Sequence, residues 1–137
     1  IGYIPNTLNA STCKWCIQNI SNAKNKSLEN YPHILNMLVF LFQETLLPYI
    51  KRFFTFPSNY RIGNVNIDII QQESISEITP NENDLIHVFL KISSTTSLFE
   101  FKENVVYSMS EGDVLFMHSS KSFTNSSKED VYIFIRF

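Results

Sequence analysis

Two runs decide the fold: Leu85-Ile86-His87-Val88-Phe89-Leu90-Lys91-Ile92 and Val131-Tyr132-Ile133-Phe134-Ile135-Arg136-Phe137. In the first, Ile86, Val88, Leu90 and Ile92 make one side of an extended chain wholly apolar, while Leu85, His87, Phe89 and Lys91 take the other. In the second, Val131, Ile133, Ile135 and Phe137 form one face, and Tyr132 and Phe134 carry apolar character onto the opposite face as far as Arg136. Side chains alternate across a strand, so a strand apolar on both faces lies inside its sheet and is covered on both sides. The covers are then a second sheet and a layer of helix.

Working outward, the same period of two marks further strands over 65–70, 74–78, 98–101, 105–107 and 114–117, separated by polar links over 78–84, 93–97, 110–113 and 119–128. Seven short strands with short links predict antiparallel sheets rather than a βαβ fold. The part before them is helical. Ser11 and Thr12 are the expected N-caps of a short helix over 12–23. A polar loop over 22–30 follows, and Pro32 suits the first turn of a second helix, where its missing N–H has no partner to lose. That helix, 33–47, is nearly all apolar, and Pro48 is expected to end or kink it. Lys51 and Arg52 then favour the negative end of its dipole. The predicted fold is α+β: a two-sheet sandwich with N-terminal helices packed on one sheet.

The chain has 137 residues, 44% apolar and 18% charged, with a net charge of −2. That is one domain with a real core, helical over 1–58 and strand-rich over 59–137, and it excludes disorder for the chain as a whole. The charge balance argues against a nucleic-acid partner. The apolar stretch from Ile34 to Ile50, interrupted by Asn36, Gln43, Glu44 and Pro48, is too short and too broken for the roughly 20 residues an integral membrane span wants. Abundant Ile, Asn, Phe and Lys beside scarce Ala and Gly point to AT-rich coding.

Cys13 and Cys16, the only cysteines, follow no strand-like run, which disfavours a thioredoxin-type redox motif, and only His33 lies near enough to join a zinc site. At i and i+3 they share a helix face as small apolar residues, and without a disulfide framework they favour a reducing compartment. Four Asn-x-Ser motifs, at Asn9, Asn19, Asn25 and Asn125, are about what this composition gives by chance.

The Gly112-Asp113-Val114-Leu115-Phe116 run, the Leu98-Phe99-Glu100-Phe101 strand before it and the closing strand over 131–137 resemble the double-stranded β-helix, or jelly roll, of 2-oxoglutarate/Fe(II)-dependent dioxygenases of the prolyl-4-hydroxylase type. The resemblance spans about 60–137. It implies an iron held by two histidines and one carboxylate with open positions for cosubstrate and oxygen. The His-x-Asp pair of such enzymes falls here at Ser76-Glu77-Ile78, and the distal histidine at Ser122 or Phe123, so the ligands are missing. Arg136 is the one basic residue on the strand where the family clamps 2-oxoglutarate, and it is displaced. His87 and His118, with Glu77 or Asp113, are the residues from which a displaced metal site could be rebuilt; otherwise His87 is a hydrogen-bonded strand residue, His118 ends a strand and Asp113 serves a turn. No nucleophile has a partnered base.

The expectation is therefore a catalytically inactive dioxygenase-like domain, not an enzyme and without a cofactor, that binds other protein subunits as a structural or accessory part of a larger assembly. Its surplus of aromatic surface, Phe53, Phe54, Phe56 and Tyr60, favours this. The alternatives are an active non-heme iron or cupin-like oxygenase with displaced ligands, and a viral jelly-roll minor structural protein.

Overall fold

The computed structural model describes residues 1–20, 28, 31–56, 65–71, 84–125 and 131–137. In chain order it contains β1 (Gly2–Ile4), α1 (Ala10–Ile20), α2 (Pro32–Leu41), a π turn (Phe42–Leu46), α3 (Leu47–Phe53), β2 (Asn66–Gln71), β3 (Ile86–Lys91), β4 (Ser97–Phe101), β5 (Val106–Met109), β6 (Val114–His118), β7 (Phe123–Asn125) and β8 (Val131–Arg136). All strand pairs are antiparallel and form two sheets, ordered β1-β6-β3-β8-β2 and β5-β4-β7. The α+β class and the two-sheet arrangement predicted from the alternating runs are present.

Both strands on which the prediction rested are interior. β3 lies between β6 and β8, and β8 between β3 and β2. Ile86, Val88, Leu90, Val114, Phe116, Ile133 and Ile135 face the helices, meeting Cys13, Cys16, Ile34, Leu38, Phe42, Leu46 and Ile50. On the other face Phe89, Leu115, Met117, Tyr132 and Phe134 meet Phe99, Phe101 and Met109 of the smaller sheet. The large sheet thus separates two cores, which is why its central strands carry almost no polar side chains.

Four local expectations are corrected. The cap of α1 is Asn9, whose Oδ1 accepts from Thr12 N at 2.8 Å and from Ser11 Oγ at 2.8 Å; Ser11 and Thr12 lie inside the helix, which ends at Ile20 within the described residues. Pro48 does not end the second helix. The π turn before it, with Leu47 N donating to Phe42 O, widens the turn at the place where the proline lacks an N–H, and the helix runs on to Phe53. The polar stretch over 119–128 contains a strand, β7, and Gly2–Ile4 adds a strand at the edge of the large sheet. The proposed strand over 74–78 and the loop over 22–30, apart from Leu28, lie outside the described residues.

By length and composition alone the continuous helix Pro32–Phe53, longer than the stretch 34–50, is enough to cross a membrane, a property that core helices of soluble proteins share. One stripe of it, from Ile34 to Ile50, is nevertheless buried on the sheet.

The N-terminal strand is held by a clamp. Asp113, buried, accepts from Tyr3 Oη, from Asn6 N at 3.0 Å and from Ser110 N at 2.9 Å. Gly112 O accepts from Thr7 N at 2.8 Å and Leu8 N at 3.2 Å. Burial and the Asp113 carboxylate push the Tyr3 phenol up to about 12. The folded chain therefore keeps that proton where the unfolded chain, titrating near 10, has lost it. Stability is fully present below about pH 10 and is expected to fall as pH rises toward 12. Urea unfolding at stepped alkaline pH checks this: the decline should be shallower in Tyr3→Phe, and equal slopes would assign it to other groups.

Candidate functional site

Residues 87, 89 and 91 of β3 and 132, 134 and 136 of β8 point between the two sheets, and their side chains divide that interior into three zones. In the middle is a plug of rings. Phe89 and Phe134 stack with centroids 5.0 Å apart, and Phe89 lies 5.6 Å from Phe99, 5.5 Å from Phe123 and 6.4 Å from Tyr132. Phe123 also packs on Phe99 at 5.2 Å and Phe101 at 5.8 Å. Such offset and edge-on pairs fill space densely.

At one end of the plug lies a buried cation. Lys91 is fully buried; its Nζ donates to Ser93 Oγ at 2.9 Å and Thr95 Oγ1 at 3.4 Å and sits 5.3 Å from the Tyr132 ring centre. Tyr132 Oη and Ser97 Oγ are 2.6 Å apart. The parity of β3 put Lys91 beside Phe89 on one face, yet nothing in the sequence marked it as buried.

At the other end are Asp84, His87 and Arg136. Asp84 Oδ2 stands 3.5 Å from His87 Nε2 and 3.9 Å from Arg136 Nε, distances of charge contact rather than hydrogen bonding, and both nitrogens are buried without a hydrogen-bond partner. His87 lies directly across from Arg136 in the β3–β8 register and meets Phe134 edge-on at 5.0 Å. Burial holds the His87 imidazole below its usual pKa; Asp84 pulls it upward, and Arg136 and His118 push it further down. The turn after β6 closes over this corner, with Ser119 Oγ donating to Asp84 O at 2.6 Å and Ser119 N to Leu85 O at 2.8 Å.

The structure does not bring His87 and His118 together. His118 pairs with Ile86 and so shares the opposite face from His87. It is exposed, and its Nδ1 accepts from Ser120 N at 3.2 Å and contacts Ser120 Oγ at 2.7 Å, so it caps its own turn. Asp113 is tied up in the N-terminal clamp, next to Val114 at the far end of β6. Phe123, one of the two positions for the distal histidine, is a ring in the plug, and Ser122 precedes it. Ser76, Glu77 and Ile78 lie outside the described residues. Among the described residues no group of three or more His, Cys, Asp or Glu is placed to hold an ion.

Cys13 and Cys16 are fully buried free thiols. Burial pushes both up to about 11, with Glu111 adding to the shift at Cys13, so at neutral pH both are thiols rather than the thiolates that thiol exchange needs.

Compared with known proteins, the sequence matches no family model and no curated protein.

Proposed function

We propose that this chain is a jelly-roll domain of the dioxygenase-like kind that has no catalytic centre and serves as a structural or accessory protein-binding subunit. The strand pairing supports the jelly roll. β4–β5 in the small sheet and β3–β6 in the large one are nested pairs of one ribbon folded across both layers, and β4–β7 with β3–β8 repeat the nesting.

The observation that carries the functional reading is the aromatic plug. Phe89, Phe99, Phe123 and Phe134 fill the space between the two sheets, and Phe123 is one of the two positions at which the resemblance implies a histidine ligand. A binding role is supported by apolar side chains left outside on the helices: Phe40 is 67% exposed and Phe53 50%, and Trp15 and Tyr49 are also exposed. Phe54 and Phe56 are half-buried, and Tyr60 lies outside the described residues.

Light scattering on the purified chain tests this. It should associate with rising concentration, and Phe40→Asp with Phe53→Asp should return it to monomer. Iron and 2-oxoglutarate should give neither turnover nor a thermal shift. A freely soluble monomer, or stoichiometric iron lost in His87→Ala, overturns the reading.

A further inference from the structure

The Asp84–His87–Arg136 corner is a meeting point of three elements. Leu85 N and Ile86 N both donate to Phe137 O, at 2.7 and 2.9 Å, and Phe137 N donates to Ile86 O at 3.2 Å. Ser119 adds its two bonds to Asp84 and Leu85. The start of β3, the end of β8 and the turn after β6 are thus stitched together around one carboxylate. That carboxylate faces an imidazole and a guanidinium whose inward nitrogens are buried and lack hydrogen-bond partners.

We propose that this corner is an acid-sensitive clasp: closed when His87 is neutral, and loosened when His87 takes up a proton, so that β8 and the turn after β6 open locally at the mouth of the sandwich.

The charge arrangement gives the direction. Among the described residues, the groups that act on His87 are Asp84 just before its own strand, Arg136 across from it on β8 and His118 at the end of β6. Phe134 covers its edge, and Met117 is its partner on β6, so neither element offers it a second carboxylate. A proton on His87 would put two cations against one buried carboxylate in an apolar corner, which is costly unless the corner admits water. Because burial lowers the folded-state pKa, the opened or unfolded state binds more protons as pH falls. The clasp is therefore tight above the ordinary histidine value and weakens as pH drops through and below it. The clasp is independent of the binding role proposed above.

Amide exchange on the full chain tests it. Between about pH 7.5 and pH 5.5, protection at Leu85, Ile86, Ser119 and Phe137 should fall about tenfold relative to Leu98 and Phe99. In His87→Gln the fall should vanish, whereas His118→Asn should keep most of it. Unchanged protection in the wild type, or the same fall in His87→Gln, overturns the proposal. Should His87→Gln fail to fold, the wild-type ring decides: an NMR titration placing His87 below the ordinary histidine value supports the clasp, and one at or above it overturns it.

Discussion

Gly112→Ala should lower the unfolding free energy by about 3–4 kcal/mol, combining left-handed strain with lost hydrogen bonds. Gly112 has φ of +85°, a conformation L-residues with a side chain enter at a cost. An added Cβ would lie 2.0 Å from Leu8 O, a backbone atom that cannot swing aside as a side chain would. Relieving that clash means moving the segment whose Thr7 and Leu8 amides donate to Gly112 O, so the strain and the loss of the clamp come together. Urea unfolding should show a lower midpoint at an unchanged slope. A loss below about 1 kcal/mol, the ordinary size of a point-mutation effect, would show that the Asp113 clamp is not what holds β1 to the sheet.

Phe89→Ala is expected to cost about 3–5 kcal/mol, the range for removing a buried ring from a packed core. Phe89 is fully buried and touches rings from β4, β7 and β8, so its loss leaves a hole that strands on both sides cannot close. The same substitution also examines the functional reading. If the ring plug only fills space, Phe89→Ala weakens the fold without conferring metal affinity. If thermal unfolding were indifferent to the change, the middle of the sandwich would have to be loosely packed, and the proposed lack of a catalytic centre would lose its support.

The central strands were legible because burial on both faces leaves a signal that polar turns cannot imitate. The runs at 85–92 and 131–137 became β3 and β8, with β8 inside the sheet and helices on its outer side as the pattern required. The edges were not legible. β1 and β7 are three residues each, and Phe123-Thr124-Asn125 sits in a serine-rich stretch whose composition favours a loop; its strand character comes from pairing with Phe99–Phe101. Pro48 misled for a related reason: a proline's effect depends on the turn before it, and single-residue periodicity does not reveal a π turn.

The site was half legible. His87 stood out by type and by face. Its partners did not: Asp84 looks like a turn residue, and Arg136 lies far along the chain, brought opposite by the β3–β8 register. The proposed approach of His87 to His118 failed on strand parity, since facing residues one step out of phase lie on opposite sides of a sheet.

Ile34, Leu38, Phe42, Leu46 and Ile50 recur every fourth position, whereas an α-helix repeats every 3.6, so a stripe so spaced swings about 40° away from its target at each step. The wide turn at Phe42–Leu46 takes up part of that excess rotation midway and brings Ile50 back to the sheet. It works as a vernier between two periodicities. The helix accordingly has one place where its phase is adjustable; a residue gained or lost elsewhere would dial every later side chain around the axis by about 100°.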